Sequence, residues 1–152
     1  MNLTIVGTGY VGLVTGACFA EFGYSVTCVD NDIKRLEILK SGKCPFFEPG
    51  MDELLDKHIN KTKLITFEST IKNNLDNTDV IFITVGTPTR RLEDEADLSF
   101  VWQVAEEIAE NIKKYCLVVT KSTVPVGTTR EVKKIISNTV DQKFFDVGSN
   151  PE

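Results

Sequence analysis

The feature that most constrains this chain is the glycine triplet Gly7-Thr8-Gly9-Tyr10-Val11-Gly12, which follows the apolar run Leu3 to Val6. It reads as a short buried strand, a G-x-G-x-x-G turn and then a helical pattern from Val11 to Phe22. Each glycine has its own physical task. Gly7 permits a tight turn off the strand, Gly9 lets a pyrophosphate approach bare backbone, and Gly12 lets the helix pack close to the strand. The helix N-terminus then offers N–H groups and the positive end of its dipole to phosphates. Glycine triplets also occur in turns that bind nothing, so the flanking sequence decides. After Gly23 a second apolar run, Ser25 to Val29, ends at Asp30, 21 positions beyond Gly9. A dinucleotide-binding fold places there the carboxylate that holds the adenosine ribose hydroxyls.

Asp30 also bears on cofactor choice. A carboxylate accepts hydrogen bonds from a free 2′-hydroxyl and repels a 2′-phosphate. The residues after it are Asn31 and Asp32, with no arginine between. Lys34 and Arg35 come a turn later and either reach the phosphate side or solvate the second helix. The reading is NAD rather than NADP.

Composition narrows the classes further. At 152 residues the chain has the size of a single domain, 1–152, able to bury a proper core. A net charge of −5 argues against a nucleic-acid surface, and Arg90-Arg91 is followed at once by Glu93, Asp94 and Glu95. The start on a strand does not resemble a secretion signal, and Val11 to Phe22 is too short to span a bilayer. Cys18, Cys28, Cys44 and Cys116 show no metal spacing, and the first two sit in apolar runs as small core residues. A reduced, cytoplasmic protein is expected.

Along the chain, Ile33, Leu36 and Leu39 mark a surface helix ending near Ser41-Gly42. The loop Lys43 to Gly50 is either a rigid turn whose Phe46 and Phe47 pack on the sheet or a ligand-facing segment. Met51 to Ile59 reads as a short helix carrying the only histidine, His58, at the surface. Leu64 to Phe67 is a strand, and Thr70 to Leu75 a short helix or turn. Asp79 to Val85 is a continuous apolar run of the kind a strand buried on both faces requires. A helix from Leu98 to Ile112 follows Asp97, which can cap it. Leu117 to Thr120, a helix from Thr128 to about Ser137, and a strand from Phe144 to Val147 complete the pattern. Strands alternating with helices predict an α/β fold: a Rossmann-type doubly wound parallel sheet of about six strands, helices on both faces, order 3-2-1-4-5-6. Four loops then fall at the carboxyl ends of strands, at Gly7–Gly12, Gly86–Thr89, Lys121–Gly127 and Ser149–Glu152, and are expected to meet along one crevice.

These residues resemble a known family. Val6 to Gly12, Phe47-Glu48-Pro49-Gly50, Val85 to Thr89, Ala96-Asp97-Leu98-Ser99, Lys121 to Gly127 and Ser149 to Glu152 are similar, in order and across the whole chain, to the UDP-glucose/GDP-mannose dehydrogenase family. The resemblance is strongest to bacterial members acting on UDP-glucose. It implies oxidation of a nucleotide-sugar primary alcohol to a carboxylate with two equivalents of NAD, through an aldehyde and a cysteine-bound thioester. By position it implies that Gly7, Gly9, Tyr10, Val11 and Gly12 line the pyrophosphate turn and that Asp30 holds the adenosine ribose. It further implies that Arg35 contacts NAD, that Thr89 sits against the cofactor, and that Thr123 helps hold a catalytic water. Glu152 matches a glutamate that contacts substrate and exchanges a proton in the second half-reaction. Left to themselves, Thr123 reads as a turn residue before Pro125 and Glu152 as a frayed terminus.

The family's nucleophilic cysteine, its central dimer-forming helix and its nucleotide-sugar domain match nothing in these residues. The chain is therefore expected to be the cofactor half of such an enzyme, incompetent for full turnover alone and lacking the part through which members oligomerise. A relative acting on GDP-mannose or a UDP-N-acetyl hexosamine, and a non-catalytic nucleotide-binding module, are the alternatives.

Overall fold

The computed structural model of the chain describes residues 1–72, 74–88 and 96–151. The elements are β1 (Asn2–Val6), α1 (Tyr10–Glu21), β2 (Ser25–Val29), α2 (Ile33–Lys40), α3 (Met51–Asp56), β3 (Ile65–Glu68), β4 (Val80–Ile83), α4 (Ser99–Asn111), β5 (Cys116–Thr120), α5 (Thr128–Ser137) and β6 (Phe145–Ser149). The strands form one sheet in the order β3-β2-β1-β4-β5-β6, every pairing parallel. This is the predicted doubly wound sheet, with the predicted strand order.

The central strands β1, β4 and β5 are mainly apolar because both faces are covered. Side chains alternate between the faces with period two. Leu3 and Ile5 of β1, Val80 and Phe82 of β4, and Leu117 and Val119 of β5 join the cluster under α1, α2 and α3. Val6, Ile81, Ile83, Cys116 and Val118 join the opposite cluster, with Val101, Ala105 and Ile108 of α4 and Val132 and Ile136 of α5. β1 lies at the centre, bonded to β2 on one side and β4 on the other. That is where the winding reverses, and it opens a crevice at the carboxyl ends of β1 and β4.

Two residues lie differently from their predicted places. Cys18 is exposed, not in the core, while Cys28 is fully buried. α1 is apolar nearly all round, so its sequence pattern does not say which face is turned out. His58 is not at the surface but 2% exposed. Past α3 the helix widens into a π-turn, Lys57–Lys61, closed by the Thr62 N–H on the Lys57 carbonyl at 3.0 Å. The wider turn breaks the regular helical spacing around His58. His58 Nε2 lies 2.7 Å from the Glu21 carboxylate at the end of α1, and Nδ1 lies 3.0 Å from Thr62 Oγ1. Lys57 Nζ donates to both Glu21 oxygens, at 2.7 and 2.8 Å. The Lys57 hydrogen bond and then the His58 one hold the Glu21 carboxyl below its usual range.

The loop after α2 resolves its two readings residue by residue. Phe46 packs against the core, with its ring 5.5 Å from that of Tyr10. Phe47 is 91% exposed.

Candidate functional site

The turn after β1 is shaped by contacts that only glycine allows. Gly7 has φ of +102°, and a Cβ there would stand 2.8 Å from the Thr84 carbonyl oxygen at the end of β4. A Cβ on Gly12 would fall on the Gly7 carbonyl and the Thr84 hydroxyl. Gly12 thus sets the close approach of α1 to the turn. Gly9 differs from both, because a Cβ there would meet nothing within 4 Å. It is the N-cap of α1 in extended conformation, with no side-chain cap. Bare backbone at a helix N-terminus, facing open space, suits a phosphate. Thr84 closes the other side of the turn, its Oγ1 within donating reach of the Val6 and Gly7 carbonyls, at 2.9 and 2.8 Å.

Asp30, one residue past β2, is 7% exposed, with both carboxylate oxygens hydrogen-bonded. Its Oδ2 accepts from the Thr8 amide at 2.7 Å, the Thr8 hydroxyl at 2.6 Å and Arg35 Nη1 at 3.1 Å. Its Oδ1 accepts from the Asp32 amide at 2.9 Å. Burial pushes this carboxyl up, but the Thr8 hydroxyl, the Asp32 and Thr8 amides and the Arg35 charge outweigh burial and hold it below its ordinary value. The group is a fixed anion at neutral pH. Asp32 caps α2 by accepting from the Arg35 amide at 3.1 Å, which places Arg35 one turn along beside Asp30.

Gly7, Gly9, Asp30 and Arg35 line one cavity of about 690 Å³, together with Ser69 to Lys72 after β3, Thr84 to Gly86 after β4, and Phe100, Gln103 and Glu107 of α4. An open backbone turn, an ionised carboxylate and a cavity of this size fit the pyrophosphate and the adenosine ribose of a dinucleotide.

The other predicted loops form an adjoining hydrogen-bonded patch. The Ser122 hydroxyl donates to the Val85 carbonyl at 2.7 Å, and the Thr87 hydroxyl donates to the Thr123 carbonyl at 2.9 Å. The Asn150 amide donates to the Thr120 carbonyl at 3.0 Å, and Lys121 Nζ reaches Asn150 Oδ1 at 3.4 Å. These bonds tie the ends of β4, β5 and β6 together, with Thr123 exposed on the rim. Among the described residues, Lys121–Gly127 and Ser149–Pro151 do not line the cavity itself. Tyr10 stands half-exposed at the start of α1, its hydroxyl donating to Glu48 at 2.9 Å, and Val11 is half-buried behind it. Thr89 and Glu152 lie outside the described residues. Thr8, Thr84 and the α4 lining carried no signal in the sequence, because their roles arise only when distant strands meet. Asp32 did carry one, as an acidic residue just ahead of a helical pattern.

Neither a metal centre nor a spanning helix accompanies the cavity. Among the described residues no three His, Cys, Asp or Glu side chains are placed to hold a metal ion, and no helix is long and apolar enough to cross a membrane.

Known proteins share this arrangement. The model of the UDP-glucose/GDP-mannose dehydrogenase family, NAD binding domain, matches residues 1–152. The UDP-glucose 6-dehydrogenase of Rhizobium meliloti (strain 1021) is 49% identical over all of this chain and 35% of the relative's length. The TuaD UDP-glucose 6-dehydrogenase of Bacillus subtilis (strain 168) is 43% identical over 99% of this chain and 32% of its own. The chain thus spans about a third of the length of the curated relatives it matches. Among solved structures, a UDP-glucose dehydrogenase from Pyrobaculum islandicum superposes with a TM-score of 0.92 at 34% identity, covering 99% of this chain and 35% of that one. A GDP-mannose dehydrogenase from Pseudomonas aeruginosa, solved as a ternary complex, superposes with a TM-score of 0.91 at 33% identity, covering 100% of this chain and 36% of that one.

Proposed function

This chain belongs to the UDP-glucose/GDP-mannose dehydrogenase family, as its NAD-binding domain, and on that premise we propose that it holds NAD for the oxidation of UDP-glucose to UDP-glucuronate. The observation that carries the cofactor half of this reading is the ionised Asp30 lining the same cavity as the open Gly9 turn. Gly9 and the first amides of α1 receive the pyrophosphate, with Gly7, Tyr10, Val11 and Gly12 shaping the turn. Asp30 accepts from the adenosine ribose, and Arg35 adds charge beside it. Bound NAD supplies the hydride acceptor.

The substrate half rests on kinship. The 49% identity to a UDP-glucose 6-dehydrogenase supports UDP-glucose. In this reading Thr123 steadies a water at the rim of the sheet, Thr89 borders the cofactor, and Glu152 contacts substrate and exchanges a proton. A nucleophilic thiolate is also needed, and the cysteines here do not suit the part. Burial pushes the Cys28 thiol up to about 12 and the Cys116 thiol up to about 11. None of the four cysteines lines the cavity, so in this reading the nucleophile is supplied from outside residues 1–152.

A second reading, another nucleotide sugar such as GDP-mannose, is favoured by the equally close superposition on the Pseudomonas enzyme. NADH absorbance, followed with NAD and either UDP-glucose or GDP-mannose on the complete protein, separates the two. NADH from UDP-glucose alone is expected, and NADH only from GDP-mannose would replace the first reading by the second. Residues 1–152 alone are expected to bind NAD and form no NADH.

A further inference from the structure

Thr8 occupies the variable position between the first two glycines of the turn, and nothing in the phosphate reading requires a hydroxyl there. Yet it is completely buried, and both of its donors are spent on one atom, Asp30 Oδ2. With Arg35 Nη1 as third donor, Oδ2 is saturated by the protein. Among the described residues Oδ1 has a single donor, the Asp32 amide, and so keeps acceptor capacity, and Asp30 is one of the residues lining the cavity. The two oxygens are therefore unequal, one anchored and one available. Without the hydroxyl, Oδ2 would keep the Thr8 amide and the partly exposed Arg35 guanidinium, and Oδ1 the Asp32 amide. The buried hydroxyl adds the shortest of the four bonds, at 2.6 Å, and holds Oδ2 against the turn.

We propose that Thr8 is a positioning residue for cofactor recognition: its hydroxyl locks Asp30 so that Oδ1 meets the adenosine ribose hydroxyls. This rests on the reading of Asp30 as the ribose partner and extends it from the carboxylate to the residue that aims it. The parallel pairing of β1 with β2 makes the coupling direct, because Thr8 follows β1 while Asp30 follows the neighbouring β2. A hydroxyl is thus required for aim, and serine suffices, since only the hydroxyl takes part.

Calorimetric titration of the protein with NAD, and with a dinucleotide whose adenosine ribose lacks both hydroxyls, tests the proposal on Thr8→Val, Thr8→Ala, Thr8→Ser and Asp30→Asn. Thr8→Val and Thr8→Ala are expected to raise the Kd for NAD roughly tenfold, as befits one hydrogen bond to a charged group. Both should leave the Kd for the dideoxy dinucleotide within about twofold of wild type, and Thr8→Ser should bind NAD like wild type. In an Asp30→Asn background Thr8→Val should add less than about twofold. Equal losses for both dinucleotides would make Thr8 a structural residue of the turn and overturn the proposal. So would an unchanged Kd in Thr8→Val while Asp30→Asn weakens NAD. If Asp30→Asn itself leaves NAD binding unchanged, the ribose reading falls, and the positioning role with it.

Discussion

The Thr84 hydroxyl stands where a side chain on Gly12 would have to go. The third glycine of the turn is thus a packing residue, enforced by the end of β4 rather than by a ligand.

The glycines should therefore separate by mutation. Gly12→Ala and Gly7→Ala are expected to destabilise the fold by at least about 2 kcal/mol each, the first by overpacking and the second by strain at positive φ as well. In Gly9→Val the added Cβ meets no protein atom within 4 Å. The substitution should cost less than about 1 kcal/mol, yet abolish NAD binding by filling the pyrophosphate space. Denaturant unfolding and calorimetry on the three variants check this. Normal NAD binding by Gly9→Val would move the cofactor site elsewhere.

In the proposed reading Asp30 sets cofactor choice. The wild type should bind NAD in preference to NADP, and Asp30→Ala should lose on the order of 1.5–3 kcal/mol of NAD affinity. Side-by-side titration with both dinucleotides measures it. Equal or tighter NADP binding by the wild type would remove the argument.

The same carboxylate has a pH signature. Its folded value lies below its unfolded value of 3.8. Its stabilising contribution is therefore full above the unfolded value and is lost as pH falls through the folded one. Unfolding free energies of wild type and Asp30→Asn, measured from about pH 6 downward, should keep a constant difference until the ordinary carboxylate range and then converge. A difference that grows on acidification would mean that the shift has the opposite sign.

Removal of the buried histidine should weaken the fold without touching the site. His58→Ala loses two hydrogen bonds and leaves a cavity between α1 and the π-turn, at an expected cost of about 2 kcal/mol or more. The Kd for NAD should stay at its wild-type value, because His58 is not among the residues lining the cavity. A large change in Kd would show that the end of α1 is coupled to its beginning.

Thiol reactivity gives a further check. In the native protein Cys18 alone is exposed, so a soluble thiol reagent should label it first. Cys28 and Cys116 should react only on unfolding. Early labelling of Cys28 would mean that β2 is not packed as described.

Strand order and site were legible in the sequence for the same reason. A parallel strand covered on both faces must be mostly apolar; β4 is so throughout, and β1, β2 and β5 are broken only by Asn2, Thr4, Ser25, Thr27 and Thr120. Their ends moved by a residue or two, since the apolar run and the hydrogen-bonded ladder need not stop together, as at Asp79 and Val85 beyond β4. Gly9 and Asp30 announced themselves by spacing. Cys18 and His58 did not show their surroundings. One sits on a helix without a polar face, and the other on a turn whose extra residue breaks the regular helical spacing. Thr8 and Thr84 were silent, because each acts on a residue from another strand.

The placement of β1 between β2 and β4 bears on how the chain is made. β1, the first of the six strands in chain order, lies at the centre of the sheet. It finds β2 within the next thirty residues or so, since Leu3 pairs with Val26, but its other edge waits for Val80. More than half of the 152 residues must be synthesised before that edge is covered. Until then a row of unpaired amides and carbonyls on an apolar strand is exposed to any neighbouring nascent chain, and the speed of translation through β4 sets how long that exposure lasts.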